Sequence, residues 1–121
     1  MRELNIGTKK YTRVIAIDQK EFNANHEYIV VLPADPTKPN AIAPLTRVLF
    51  QKGPIKEAGV NGCHNEDLIA MVLDRLQSFQ SSEYHCRENA LAITKLEEAL
   101  FWLRARTDGR EERGVEGTHA I

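Results

Sequence analysis

The chain has 121 residues, of which 42% are hydrophobic and 27% are charged. This length corresponds to one domain, and the composition excludes a disordered chain, a collagen-like repeat and a disulfide-dense mini-protein. The net charge is −1, with 9 Lys and Arg against 6 Asp and Glu in residues 1–60, and 7 against 11 in residues 61–121. We therefore expect no DNA partner, and no membrane partner, because no apolar run approaches the roughly 20 residues that cross a bilayer.

The first half carries short alternating or β-branched segments separated by prolines and glycines. These segments predict three strands, at residues 11–17, 27–32 and 46–51. Because proline donates no ladder hydrogen bond, four prolines predict a loop between the second and third strands: Pro33, Pro36, Pro39 and Pro44. Residues 53–63 predict a structured loop with a turn at Asn61-Gly62. The short connections favour a small antiparallel sheet.

The second half has the periodicity of helices. Apolar residues recur from Leu68 to Phe79 and predict an amphipathic helix over about residues 65–80, with Asn65 as its cap. A second helix is predicted from a candidate cap at Ser82 to about residue 107, ending before Gly109. The expected fold is therefore α+β, a single domain with a β-rich part over residues 1–63, an antiparallel two-helix hairpin over 64–108 and a tail over 109–121.

The second predicted helix has too much apolar surface for a lone hairpin. Its apolar residues cover about twice the 100° stripe that a helix needs against one partner. They are Leu91, Ile93, Leu96, Ala99, Leu100, Phe101, Trp102 and Leu103. We therefore expect helices of a second subunit to complete the burial, most simply in a symmetric dimer.

Two residues flank the loop between the predicted helices. Phe79 ends the first helix, and Asn89 lies on the apolar stripe near the start of the second. A core phenylalanine and a structural amide are the commoner roles of such residues. The alternative is a purine site, in which a ring stacks on the base and an amide bonds its edge.

Four arginines cluster near the end of the second helix: Arg104, Arg106, Arg110 and Arg113. They form either a solvated last turn that complements the helix dipole or a phosphate site, because arginine can donate two hydrogen bonds at once. Asn89 and Arg106 are 17 residues apart, so a continuous helix separates them by about 25 Å. If both bind one small ligand, that ligand lies between two subunits.

The sequence pattern does not assign a chemical role to the cysteines and histidines. Cys63-His64 and His85-Cys86 are adjacent pairs and lack the spacing of zinc ligands, so we expect no metal and no cofactor. No apolar signal segment follows Met1, and we therefore expect free thiols. A nucleophilic cysteine paired with the histidine of the other segment stays open. No glycine-rich phosphate loop and no carboxylate pair for acid–base chemistry stands out.

The second predicted helix and the tail carry a long motif. It runs from Cys86-Arg87-Glu88-Asn89-Ala90-Leu91-Ala92 through Trp102-Leu103 and Arg106-Thr107 to Arg113-Gly114-Val115-Glu116-Gly117-Thr118. This motif resembles the helical hairpin shared by two phage immune-evasion families, the Thoeris anti-defence and anti-CBASS nucleotide sponges. The β-rich half is similar to the Thoeris anti-defence one family, through Gly7-Thr8-Lys9-Lys10-Tyr11, Asn25-His26-Glu27-Tyr28 and Gly59-Val60-Asn61-Gly62-Cys63. The resemblance covers nearly the whole chain.

The resemblance implies a non-enzymatic protein of the bacterial host cytoplasm that sequesters glycocyclic ADP-ribose, a signal made by TIR-domain enzymes. Some family members also take up CBASS cyclic oligonucleotides at a separate site, which the resemblance does not assign to residues. The family assembles from dimers, in some members into a hexamer, with the ligand at the dimer interface. Two alternatives from other classes remain: a small hydrolase of the same signal, and a module that binds a protein through its exposed helix face.

The same resemblance implies a set of ligand-binding residues. Phe79 would stack on adenine, Asn89 would bond the edge of the base, and Arg106 would reach the ligand from the neighbouring subunit. Arg87 belongs to the same implied site. Gly117 and Thr118 lie in a tail that would close over the ligand.

Overall fold

The computed structural model describes residues 1–7, 9–38 and 40–121, and the chain divides into two compact units. The sheet unit comprises Met1–Gly53 and Val60–Cys63, and the helical unit comprises Pro54–Gly59 and His64–Ile121. Thr8, within the first motif of the resemblance, and Pro39, within the predicted proline loop, lie outside the described residues.

The sheet unit is a four-stranded antiparallel sheet in the order β1-β2-β3-β4. The strands are β1 Arg2–Glu3, β2 Arg13–Ala16, β3 Glu27–Val31 and β4 Pro44–Leu49. The three predicted strands are confirmed, each within a few residues. The sequence did not predict β1, because two residues are too few to show an alternating pattern.

A small apolar core forms where the two central strands pair. Ile15 of β2 lies opposite Ile29 of β3, and both are buried together with Val31, while Ile17 packs against them. Pro44 was predicted to lie in the loop, but it is the first residue of β4. A proline is tolerated there because β4 is an edge strand.

The segment after β4 contains a short helix, α1 Ile55–Ala58, inside the stretch that was predicted to be a loop. The chain then returns to the sheet unit, where Cys63 forms a parallel bridge with Phe50. The Asn61 side chain accepts a hydrogen bond from the Lys52 N–H and donates one to the Lys52 carbonyl, both at 2.8 Å. These two bonds hold Asn61 beside Lys52, where the chain comes back to the sheet unit.

The first long helix, α2 Asn65–Gln80, has the predicted bounds. Its cap is His64 rather than Asn65, which is the first helical residue. The His64 N–H donates to Oδ2 of Asp67 at 2.8 Å. The carboxylate therefore lies in the first helical turn, where the helix dipole favours a negative charge.

The second long helix, α3 Arg87–Glu112, begins and ends later than predicted. Its cap is Cys86, not Ser82, and Sγ of Cys86 accepts a hydrogen bond from the Asn89 N–H at 3.4 Å. The helix continues through Gly109, so the predicted stop there is wrong. It ends at Glu112, two residues before Gly114, whose φ is +72°.

Two backbone hydrogen bonds close this helix end. The Val115 N–H donates to the Arg110 carbonyl and the Gly114 N–H donates to the Glu111 carbonyl, each at 3.0 Å. This pair of bonds is the Schellman motif, in which a left-handed residue, usually glycine, reverses the chain. The conformation of Gly114 therefore decides where α3 stops.

Helices α2 and α3 pack against each other, and the predicted hairpin is confirmed. Apolar side chains on α3 nevertheless stay uncovered: Phe101 is 63% exposed and Trp102 66%. Their rings meet edge to face with centroids 5.3 Å apart. An assembly that covers this surface stays a prediction. Among the described residues, no helix is long and apolar enough to cross a membrane.

Candidate functional site

One end of the helical hairpin gathers the residues that the sequence predicted to recognise a base. Phe79 lies in the last turn of α2, and Arg87 and Asn89 lie in the first turn of α3. The connecting loop is only six residues long, so these side chains belong to the same end of the hairpin. We call Phe79, Arg87 and Asn89 the loop group.

The loop itself is held by Gln80, which no sequence pattern indicated. Nε2 of Gln80 donates to the Cys86 carbonyl at 2.9 Å, and its Oε1 accepts from the Cys86 N–H at 3.1 Å. One amide side chain thus ties the end of α2 to the cap of α3. The position of the loop group does not depend on the side chain of Asn89.

Asn89 is therefore left with an available amide. Its backbone N–H binds Cys86, but its half-buried side chain has no hydrogen-bond partner among the residues that the structure describes. Neither amide atom of Asn89 is among the buried unpaired atoms of the described chain, so water can satisfy both until a ligand replaces it. The structural bond to the loop that the sequence suggested is absent here, because Gln80 makes it instead.

Phe79 is not a buried core residue, since 39% of its surface is exposed. The guanidinium carbon of Arg75, one turn earlier in α2, lies 5.2 Å from the centre of its ring. Such a cation–π contact orients the ring. An oriented, partly exposed ring is a suitable platform for a flat base.

The other three predicted residues lie at the far end of α3. Arg106 is exposed near the end of the helix, and Gly117 and Thr118 follow it in the tail. Because α3 is continuous from residue 87 to 112, Asn89 and Arg106 are separated by about 25 Å along its axis. We call Arg106, Gly117 and Thr118 the tail group. The structure therefore does not bring the two groups together within one chain.

The tail is ordered against α1. The Gly117 carbonyl accepts a hydrogen bond from the Lys56 N–H at 3.1 Å, and Nδ1 of His119 lies 3.2 Å from Oε1 of Glu57. A Cβ at position 117 would lie 3.1 Å from Cγ of Lys56, so the two segments approach closely. The tail is thus hydrogen-bonded along its length, unlike a frayed end.

The four clustered arginines have different environments. Arg110 is only 8% exposed and its side chain binds the tail, so it is neither solvated nor open to phosphate. Arg104 lies 3.9 Å from Asp108. Arg106 and Arg113 are exposed, and neither has a side-chain partner among the described residues. Arg106 is therefore available as the cation of the tail group.

The structure separates one of the two cysteine–histidine pairs that the sequence left open. His64 and Cys86 cap the starts of α2 and α3, so the 16 residues of α2 lie between them, about 24 Å along the helix. They cannot form a catalytic pair within one chain. The described residues contain no group of three or more His, Cys, Asp or Glu that could hold a metal ion.

A further cleft lies among the described residues of the sheet unit. It is lined by Asp18, His26, Glu27, Leu49, Phe50, Lys52 and Asn61, and its volume is about 190 Å³. Small-molecule pockets usually occupy about 300–1,000 Å³. The cleft is therefore too small to enclose a dinucleotide.

Asp18, at this cleft, has a structural environment. Burial raises the pKa of Asp18, but hydrogen bonds from the His26 N–H, the Asn25 side chain and the Glu27 N–H together hold it below its ordinary value. Nδ2 of Asn25 also donates to the Asp18 carbonyl at 2.7 Å. The carboxylate thus fixes the turn that leads into β3.

Comparisons with known proteins show two likenesses. Residues 44–108 match the family model described as the Acb2/Tad1 hairpin domain, and this range contains the loop group and Arg106. A relative from Bacillus phage SBSphiJ7, described as Thoeris anti-defense 1, is 52% identical, and the alignment covers 84% of this chain and 84% of the relative. The likeness therefore extends beyond the hairpin.

Proposed function

Because this chain belongs to the Thoeris anti-defense 1 family and carries the Acb2/Tad1 hairpin, we propose that it binds glycocyclic ADP-ribose and withholds it without cleaving it. One observation carries the proposal. The continuous helix α3 separates Asn89 of the loop group from Arg106 of the tail group by about 25 Å, and each group supplies only part of what a cyclic nucleotide needs.

The loop group fits the adenine end of such a ligand. Phe79 presents an exposed ring that Arg75 already orients, and Asn89 presents an amide with no partner in the described chain. An aromatic ring can stack on a base, and an amide can both donate to and accept from its edge. Arg87, exposed in the first turn of α3, adds a positive charge beside them.

The tail group fits the anionic end. Arg106 is exposed and free of an acidic partner among the described residues, and a guanidinium can donate two parallel hydrogen bonds to a phosphate. Gly117 and Thr118 lie in an ordered segment, in which the Thr118 hydroxyl donates to the Val115 carbonyl and accepts from the Ala120 N–H. In this proposal Arg106 therefore supplies the donors for a pyrophosphate, and the tail borders the ligand.

Two chains are needed to join the groups. An antiparallel partner helix would place the tail group of one chain beside the loop group of the other, so a symmetric dimer would hold two equal sites. The exposed Phe101 and Trp102 on α3 are the kind of apolar surface that such an interface covers. Assembly of the dimers into a hexamer belongs to the same hypothesis.

The test is calorimetric titration of the purified protein with glycocyclic ADP-ribose, followed by heat denaturation and chromatography of the released ligand. We expect tight binding at about one ligand per chain and recovery of the intact molecule. Recovery of a cleaved product would show that the protein is an enzyme. Absence of binding would refute capture of this signal.

A further inference from the structure

We propose that Arg110 is a positioning residue that orders the tail before any ligand binds. The role of Arg110 in ordering the tail stands on the contacts of this chain alone. Its consequence for the ligand rests on the proposed function.

The side chain of Arg110, in the last turn of α3, makes hydrogen bonds to much of the tail. Its Nε donates to Oε2 of Glu116 at 3.1 Å, and its Nη1 donates to the Ala120 carbonyl at 2.7 Å. Its Nη2 donates to the carbonyls of Val115 and Thr118, at 2.9 and 3.2 Å. One guanidinium thus binds four different residues of the segment that follows the helix.

These bonds use most of what a guanidinium offers. Arginine carries five N–H donors in a fixed fork. The Arg110 side chain makes four hydrogen bonds with these donors. The positive charge is paired with Glu116. Arg110 therefore has little left for a phosphate, in contrast to Arg106 on the same helix.

The tail is also held by contacts that do not involve the Arg110 side chain. Gly114 reverses the chain at the end of α3, the Gly117 carbonyl accepts from the Lys56 N–H of α1, and His119 lies beside Glu57. Arg110 adds bonds to the Val115 and Thr118 carbonyls, on either side of Gly117. Removing its side chain should loosen residues 115–120 while these other contacts remain.

A tail that is ordered in advance changes how the ligand is bound. A flexible segment that becomes ordered on binding loses conformational entropy, and this loss lowers affinity. Folding of this chain has already ordered the tail around Arg110. We therefore expect Arg110 to slow ligand release without touching the ligand.

The experiment combines two measurements on the full chain. Hydrogen exchange of the Thr118 and Ala120 amides reports the tail without ligand, and stopped-flow displacement reports the dissociation rate of glycocyclic ADP-ribose. The variants are Arg110→Ala and Arg110→Lys, and the control is Lys95→Ala, which removes an exposed charge from the same helix.

In Arg110→Ala we expect both tail amides to exchange at least about tenfold faster and the ligand to leave at least about tenfold faster. Arg110→Lys should behave similarly, because a lysine has its three donors on one atom and cannot reach four separated acceptors. Lys95→Ala should leave both rates unchanged. If Arg110→Ala loses helical circular dichroism, Glu116→Gln replaces it, because this variant alters only one of the Arg110 contacts. We then expect smaller increases in both the amide exchange rates and the ligand dissociation rate.

Three outcomes would overturn the inference. Unchanged exchange at Thr118 and Ala120 would show that Arg110 does not hold the tail. Faster exchange with an unchanged dissociation rate would show that the tail has no part in retaining the ligand. Full rescue by lysine would show that only the charge matters. Failure of the wild type to bind would instead refute the proposed function, while hydrogen exchange would still decide the role of Arg110 in the tail.

Discussion

Arg75 lies over the ring of Phe79, with its guanidinium carbon 5.2 Å from the ring centre. The two residues are one helical turn apart in α2, so their side chains share a face of that helix. The contact restrains a ring that is otherwise 39% exposed. A restrained ring loses less conformational entropy when it stacks on a ligand.

Replacing Phe79 should therefore weaken binding strongly. Stacking of a base on an aromatic ring contributes about 1–3 kcal/mol, so we expect Phe79→Ala to raise the Kd for glycocyclic ADP-ribose by about 5- to 150-fold. Calorimetry measures the Kd, and sedimentation checks that the assembly is intact. Tyr11→Ala is a matched control, because Tyr11 is exposed and also has a cation, Lys10, at 5.2 Å. Equal affinity of the Phe79 variant and the wild type would place the base elsewhere.

A site shared between chains can be tested by mixing two inactive variants. Asn89→Ala damages the loop group and Arg106→Ala damages the tail group. If each site takes one group from each chain, mixed dimers carry one intact site, and about a quarter of the binding capacity should return on random mixing. The stoichiometry from calorimetry measures this recovery after subunit exchange in mild denaturant.

The control for that experiment is a mixture of Asn89→Ala with Phe79→Ala. Both changes lie in the loop group, so no arrangement of these chains restores an intact site. Recovery in the control, or no recovery in the first mixture, would contradict a site built from the loop group of one chain and the tail group of another.

The two glycines near the end of α3 should respond oppositely to alanine. Gly109 is helical and has open space where a Cβ would lie, so Gly109→Ala should raise the free energy of unfolding by about 0.5–1 kcal/mol. Gly114 has a φ of +72°, which costs an alanine about 1–2 kcal/mol. Urea denaturation followed by circular dichroism measures both. Stabilisation by Gly114→Ala would mean that the helix does not end there.

The stability of the fold should depend on the charge of Asp18. Burial raises the pKa of Asp18, but hydrogen bonds from residues 25–27 lower it further, so the folded pKa lies below the unfolded value. A group of this kind stabilises the fold above its unfolded pKa, near 3.8, and this stabilisation is lost as the pH falls through the folded pKa. Asp18→Asn should therefore lower the melting temperature at pH 7 and flatten its dependence on pH in the acid range.

Asp35→Asn is the control for that measurement. The Thr37 hydroxyl and the Thr37 N–H lower the pKa of Asp35 as well. Thr37 is only two residues away, however, and an unfolded chain can form the same local contact. Melting curves between pH 3 and pH 7 should therefore respond less to Asp35→Asn. An equal response would show that the contacts of Asp18 with residues 25–27 do not stabilise the fold.

The sequence alone determined the elements that have a long or regular pattern. The bounds of helix α2 could be predicted closely, apart from its cap, because its apolar side chains repeat along 16 positions. The three longer strands could be located by their alternation, whereas the two-residue β1 could not. The family likewise follows from the long hairpin motif, and the match over residues 44–108 confirms it.

The end of α3 was mispredicted for a physical reason. Glycine is a frequent helix terminator, and the sequence has one at 109 and another at 114. Nothing local distinguishes them. The helix passes Gly109 and ends at Glu112, where Gly114 adopts the left-handed conformation and the Val115 N–H binds the Arg110 carbonyl.

The roles of the candidate site residues were decided only by the tertiary structure. Four clustered arginines look equivalent in the sequence, yet the fold places three tail carbonyls and Glu116 around Arg110 alone and leaves Arg106 exposed. Gln80, not Asn89, ties the loop. Hydrogen bonds depend on where distant backbone groups come to lie, and that position is set by the packed chain rather than by the order of its residues.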